Sequence, residues 1–333
     1  MAGMAEFDLI DLVRARTGAL AAARGDVALG IGDDAALLRV PPGHELVVTA
    51  DTLNAGVHFP QDAAPADIGW KALAVNLSDL ASMGARPAWC TLSLSLPEAD
   101  PAWLRAFVDG FVELAALHGV ALVGGDTTRG PLSIAVTAMG LVETGAALRR
   151  DRARVGDDVW VTGTLGDAAA ALVLGGHMPA PDGRVPTVSA DPTAALHVRL
   201  ARPTPRVEAG RRLLGLARAC VDVSDGLLAD LGHICTRSRV GAEIDIAQLP
   251  ASPALAAAFE PSAQHALQAS GGDDYELCFT ADPALRDHVA AALELAGVEA
   301  ARIGRIVAGS GVRALDAHGG QWQPPRSGYV HFG

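Results

Sequence analysis

The chain has 333 residues, half of them hydrophobic and 19% charged, enough for about two domains with a real core and too apolar for a disordered chain. Its 26 basic residues against 38 acidic ones leave a net charge of −12, the wrong sign for a surface that grips nucleic-acid phosphates with dense Lys and Arg. No apolar run reaches the roughly 18 residues of a membrane span, and Glu6, Asp8 and Asp11 stand where a signal peptide would be basic, so a cytoplasmic chain with neither nucleic-acid nor membrane partners is expected.

Short apolar runs alternating with helical stretches predict a mixed α/β chain. Residues 45–50 (ELVVTA) read as a strand and 65–83 as a helix stopped by Gly84. A strand over 89–96 follows, then a helix over Pro101–His118 with Gly119 beyond its end, then strands over 120–123 and 132–142. Arg149–Arg150–Asp151 and the turn at Gly156–Asp157–Asp158 put a domain boundary near residue 150, giving domains 1–150 and 151–333. The second half repeats the grammar: strand 159–162, helix 165–174, a Gly- and Pro-rich loop over 175–192, and a helix opened by Thr204–Pro205 and running to about 217. Strand 219–223, helix 226–238, strand 275–280 and helix 283–296 complete the reading. Cys90, Cys220, Cys235 and Cys278 form no CxxC pair. The basic residues are 25 Arg and one Lys, Lys71, inside the first predicted helix.

One event recurs: an apolar strand runs into glycine or a small hydroxyl residue and then aspartate. It occurs at Gly30–Ile31–Gly32–Asp33–Asp34, Thr49–Ala50–Asp51–Thr52, Gly124–Gly125–Asp126–Thr127–Thr128, Asp222–Val223–Ser224–Asp225–Gly226 and Gly271–Gly272–Asp273–Asp274. Asp79 adds a carboxylate inside the helix of residues 65–83. A lone Asp-Gly is most often a turn, but a turn does not explain the whole set. Open α/β sheets gather ligands at the carboxyl ends of strands, where these aspartates are expected to converge.

Converging carboxylates repel one another unless cations separate them. Oxygen donors without a His–Cys set select Mg²⁺ over zinc, and Mg²⁺ completes its shell with substrate phosphates and water. The neighbouring glycines let backbone N–H groups approach those phosphates. Metal-assisted phosphate chemistry is the expectation. There is no G-x-x-x-x-G-K-[ST] loop and no protein-kinase set, and Gly163–Thr164–Leu165–Gly166, lacking a following Lys, reads as the start of a helix. His58, His118 and His233 stand singly.

Together the motifs GIGDDAALL (30–38), TADTLNAGVHF (49–59), WKALAVNLSDLASMGARPAW (70–89), GGDTTRGPLS (124–133), VDVSDGLLADLGHI (221–234) and SGGDDYELCFT (270–280) resemble the thiamine-monophosphate kinase family. Its superfamily also includes aminoimidazole ribonucleotide synthetase and selenophosphate synthetase. The blocks run in family order over most of the chain. The resemblance implies two α/β domains, a homodimer formed by pairing the N-terminal sheets, and phosphorylation of thiamine monophosphate by ATP with several Mg²⁺ ions. By the same resemblance, Asp34, Thr49, Ala50, Asp51, Asp79, Asp126, Asp222 and Asp225 are metal-site residues. Gly125, Asp126, Arg150 and Ser224 lie at ATP, and His58 and Asp273 at the thiamine phosphate.

The chain departs from the family pattern in two places. Asp273 stands where Glu is usual. At the C-terminus Arg326 occupies the position of the substrate-stacking aromatic and Val330 that of an Asp, leaving Trp322 or Tyr329 as sources of a ring for the thiazolium cation. The acceptor is a phosphate oxygen, already anionic, so no general base is expected, and Lys71 reads as an ion-pair partner steadying the acidic groups. Two alternatives stay open: another ATP-dependent enzyme of the superfamily, and a non-catalytic magnesium–nucleotide sensor.

Overall fold

The computed structural model describes residues 6–325. They divide into two compact units: residues up to Leu80 with Ala85–Gly145, and Ala81–Gly84 with everything from Ala146 onward. The first unit contains α1 (Glu6–Ala22), the hairpin of β1 (Val27–Leu29) and β2 (Leu37–Leu38), β3 (His44–Asn54), α2 (Pro65–Ser82), β4 (Arg86–Leu96), α3 (Pro101–His118), β5 (Ala121–Arg129) and β6 (Ser133–Glu143).

Helix α3 ends where its sequence says it must. The Asp100 carboxylate accepts from the Ala102 and Trp103 N–H groups, Pro101 opens the first turn, and Gly119 closes the helix at φ 64°. Helices α2 and α3 cross at two glycines. A methyl group on Gly69 would lie 2.0 Å from the Phe107 carbonyl oxygen, and one on Gly110 would lie 1.8 Å from that of Ala66. Glycine costs about 1 kcal/mol inside a helix, and here it allows two backbones to touch.

The sheet has the order β3-β6-β4-β5, antiparallel at β3/β6 and β6/β4 and parallel at β4/β5. Leu53, Ile134, Val136, Leu92 and Leu94 form its buried, helix-covered face. The opposite face packs at one end around Trp89, Ala121 and Leu141, with Ala21 of α1 and Val27 and Leu38 of the hairpin. Along the edge strand β3, Leu46 and Val48 remain 43% and 56% exposed.

The second unit contains β7 (Asp158–Thr162), α4 (Asp167–Leu174), α5 (Ala190–Ala201), α6 (Val207–Arg212), β8 (Ala217–Asp222), α7 (Leu227–Ser238), β9 (Gly241–Asp245), α8 (Pro253–Ala258), α9 (Pro261–Ser270), β10 (Leu277–Ala281), α10 (Arg286–Leu295), β11 (Ala300–Val307), β12 (Gly311–Leu315) and β13 (Gln321–Trp322). Its seven strands run in the order β13-β12-β9-β11-β7-β10-β8, and only β9/β12 is parallel. Val159, Val161, Val221, Ile244, Cys278 and Ile306 form one core with Leu227, Leu231 and Ile234 of α7. A second core joins α4, α5, α8 and α9 through Leu196, Leu200, Leu255, Phe259 and Leu267.

The expected mixed α/β class holds, with differences in detail. Both sheets are largely antiparallel, so the rule for strand ends in open parallel sheets does not locate these carboxylates. Asp51 lies within β3 and Asp126 within β5. The helix expected from residue 204 to 217 is only Val207–Arg212, because the chain turns at Gly215 (φ 78°) before β8. The expected loop over 175–192 ends early, since α5 begins at Ala190.

Candidate functional site

In the first unit the predicted residues fall into two groups. Odd-numbered residues of β3 face α2, and there the Thr49 hydroxyl donates to the Asp79 carboxylate. Asp51, two residues along, shares that face, while Ala50 is exposed on the other. Beyond β3 the turn of residues 54–59 fixes His58: the Asn54 N–H donates to its Nδ1 (3.0 Å), which assigns the ring proton to Nε2.

The second group is set by a bulge. Cys90 pairs with Leu122 but Thr91 with Gly124, so Val123 is one residue too many in β5. The slip reverses which face each following residue takes. Asp126, opposite Ser93, is thereby turned away from the buried helical face, and Gly125 is turned toward it. A Cβ on Gly125 would stand 1.8 Å from the Leu92 carbonyl oxygen, at a φ of 149°, so only glycine fits. Asp33, Asp34, Gly125 and Asp126 line one cavity of about 790 Å³, together with Asp11 and Arg14 of α1. Three inter-strand steps of about 4.8 Å separate β3 from β5, so Asp51 and Asp126 sit on opposite edges of the sheet.

The second unit builds its part from two interlocked loops. After β8 delivers the buried Asp222, residues 223–226 turn into α7, and residues 271–276 lead from α9 into β10. Asp273 N donates to Ser224 O, Tyr275 N to Val223 O, and Val223 N to Glu276 O, each at 2.8 Å. The Tyr275 hydroxyl donates to Asp273 Oδ1 (2.9 Å). Asp273 and Tyr275 both have positive φ, 67° and 52°. Such backbone strain persists only where the surroundings over-determine it, and it clusters at ligand sites.

Three acids of this unit escaped the sequence reading in their true roles. The Asp230 Oδ2 accepts from the N–H groups of Ser224 (3.0 Å), Asp225 (3.1 Å) and Gly226 (3.1 Å). Burial, reinforced by the charge of Asp225, pushes Asp230 up to about 7 against the pull of those donors. Asp274 takes the Gly166 N–H on both oxygens (3.0 and 2.8 Å), and its burial raises its pKa well above the usual carboxylate range. Glu276, fully buried, accepts from the Thr162 hydroxyl (2.7 Å), Arg199 (2.8 Å) and both fork nitrogens of Arg206 (2.6 and 2.5 Å). The only signal for them was their place in the SGGDDYEL and SDGLLAD runs, where they look like further turn residues. The peptide Gly163–Gly166 does lead into α4, with Gly166 at its N-cap.

Arg150 is exposed, and its carbonyl accepts from the Ser238 hydroxyl (2.8 Å). Trp322 packs against the second unit's core. Arg326, Tyr329 and Val330 lie outside the described residues, and Lys71 is buried in α2. Among the described residues no three His, Cys, Asp or Glu side chains form a ready metal cage. The donors that the two units present are hard oxygens nonetheless, the set suited to Mg²⁺, which takes one or two carboxylates and leaves its remaining positions to phosphate and water.

The chain matches the AIR synthase related protein N-terminal domain over residues 32–142 and the C-terminal domain over residues 154–316. It is 48% identical over 285 residues to thiamine-monophosphate kinase of Escherichia coli (strain K12), covering 86% of each chain. Its fold superposes on the crystal structure of thiamine-monophosphate kinase from Stenotrophomonas maltophilia K279a with a TM-score of 0.84 and 56% identity, covering 94% of this chain and 97% of that one. AaThiL complexed with AMPPCP and TMP superposes at a TM-score of 0.75 and 32% identity, with 98% and 97% covered. Hydrogenase maturation protein HypE, at 21% identity and a TM-score of 0.74, shares the fold alone. Both the sequence relatives and the solved structures thus lead to one conclusion: the chain belongs to the thiamine-monophosphate kinase family.

Proposed function

We propose that this chain transfers the γ-phosphoryl group of ATP to the phosphate of thiamine monophosphate, giving thiamine diphosphate and ADP. The observation that carries the reading is its likeness to AaThiL, whose complex holds a nucleotide analogue and TMP together, across 98% of this chain. The attacking oxygen belongs to a phosphate and is already anionic, so no side chain need remove a proton. What remains is alignment of two polyanions. Two like unit charges 4 Å apart cost about 4 kcal/mol at an effective dielectric near 20, so the work of the site is charge neutralisation and positioning.

Asp34, Thr49, Asp51, Asp79, Asp126, Asp222 and Asp225 would hold Mg²⁺, with Ala50 contributing its carbonyl oxygen. Bound there, Mg²⁺ would supply the positive charge that screens the phosphates from one another. Gly125, Asp126, Arg150 and Ser224 are assigned to ATP, and His58 and Asp273 to the thiamine phosphate. The Asn54 N–H on Nδ1 holds the His58 ring in place at the end of β3. Asp273 is one carbon shorter than the family's usual Glu, so a water between it and the substrate is part of the proposal. Residues 1–150 are assigned to ATP, Mg²⁺ and dimer formation, and residues 151–333 to the remainder of the nucleotide and substrate groups.

The proposed homodimer is supported by β3, an 11-residue edge strand with exposed Leu46 and Val48, since long apolar edges are templates for pairing. A cytoplasmic location accords with four free cysteines. No helix among the described residues is long and apolar enough to cross a membrane. A coupled assay for ADP tests the reading: ADP must form in the presence of ATP and Mg²⁺ only when thiamine monophosphate is added. ATP binding without turnover would refute it.

A further inference from the structure

Asp230 is assigned to neither proposed substrate, yet three consecutive backbone donors end on one of its oxygens. Those donors belong to Ser224, Asp225 and Gly226, which the reading above assigns in part to ATP and metal. The other side of the Ser224 peptide, its carbonyl, receives the N–H of Asp273 at 2.8 Å. A single peptide unit is therefore held from below by Asp230 and holds, from above, the left-handed residue assigned to the acceptor. Gly226 (φ 116°) and Gly272 fit this arrangement tightly. A Cβ on Gly272 would lie 2.4 Å from Ser224 O, and one on Gly226 would lie 2.9 Å from Ser270. Neither glycine has room for a side chain in this arrangement.

Asp230 is itself buried, at 3% exposure, and is carried on the first turn of α7, whose Leu231 and Ile234 are anchored in the core. Its position is thus set by the rigid part of the fold, and it transmits that position to the Ser-Asp-Gly turn through three backbone hydrogen bonds to one carboxyl oxygen. Such bonds are strongest when the accepting carboxyl is ionised. By occupying three adjacent N–H groups it also withholds them from any phosphate, so that anion binding at this turn is left to side chains and metal.

We infer that Asp230 is a positioning residue for the reaction: it fixes the Ser224–Asp225 turn for the nucleotide and its metal and, through the Ser224 carbonyl, fixes Asp273 for the acceptor. This rests on the proposed function, and the two fail differently. Absence of acceptor-dependent ADP formation by the unaltered enzyme refutes the function. The positioning role is tested by Asp230→Asn, which keeps size and one acceptor but not the charge, beside Leu231→Ala, which removes core packing on the same helix but none of the hydrogen bonds to the loop.

Both variants are assayed at a temperature where each is folded, for kcat, for the KM of ATP and of thiamine monophosphate, and for half-saturation by Mg²⁺. Asp230→Asn is expected to raise the KM of ATP and the Mg²⁺ half-saturation by about tenfold or more, the usual scale for a residue that orients ligands from behind. Leu231→Ala is expected to lower Tm and leave both at wild-type values. Asp230→Glu, which keeps the charge but displaces the oxygens, must show the same split as the Asn variant and serves in its place if that variant does not fold. Wild-type KM and Mg²⁺ dependence in the Asp230 variants, or equal shifts in Leu231→Ala, would overturn the inference.

Discussion

The buried charge on Glu276 offers the sharpest test of the second unit's electrostatics. Its carboxylate is fully buried, between Arg199 and Arg206 whose side chains are 22% and 18% exposed. Burial pulls the Arg206 guanidinium down, but the carboxylate more than offsets that, and its pKa stands above the ordinary arginine value. Glu276→Gln removes the negative charge while keeping the shape. Breaking a buried pair by neutralising one partner costs about 3–5 kcal/mol, and here the lower end applies, because Arg199 retains Asp167 at 3.6 Å and both arginines touch water. About 3 kcal/mol, at about 2–4 °C per kcal/mol for a unit of this size, lowers its Tm by about 6–12 °C.

Calorimetry should show that fall in the second unit's transition, and Arg206→Met combined with Glu276→Gln should be much less than additive. Turnover should fall as well, since the Glu276 carbonyl takes the Val223 N–H at 2.8 Å and ties β10 to the Ser224 loop. A Tm change below about 2 °C, or strict additivity, would show that solvent already screens the pair and that the reasoning from burial is wrong.

Asp126→Asn should reduce acceptor-dependent ADP formation by about a hundredfold or more with an unchanged circular dichroism spectrum; near-normal activity removes Asp126 from the metal site. Asp274, whose burial raises its pKa well above 3.8, binds a proton in the folded state that the unfolded chain has lost. Its contribution to stability is full below about 3.8 and declines as pH rises toward the folded-state pKa. Wild type should therefore lose Tm relative to Asp274→Asn as pH rises from about 3.8, and a gain on that rise contradicts the assignment. Val48→Arg, on the exposed face of β3, should abolish the proposed dimer in sedimentation, and an unaffected dimer would place the interface elsewhere.

Local chemistry made much of this molecule readable. Asp100, Pro101 and Gly119 bound α3 because capping is a property of neighbours in sequence. Helix α1 escaped because its apolar residues are spread around the helix and form no stripe. Strands β9, β11 and β12 also went unread, because glycines and charged residues interrupt their apolar runs. The acid–glycine motifs were visible as motifs, but turn-like spelling concealed that Asp51 and Asp126 lie inside strands.

By itself the order of residues determined the chain's class, its family and the oxygen-rich set of side chains proposed here to hold magnesium, because those follow from residue types and short spacings. Only the tertiary structure decided which way Asp126 turns, since one surplus residue at Val123 reverses the face of everything after it in β5. It alone also decided that Asp274 and Glu276 are internal struts, because their partners Gly166 and Thr162 stand 108 and 114 residues away. A carboxylate's role is set by what desolvates it and what donates to it, and those groups arrive only when distant segments meet.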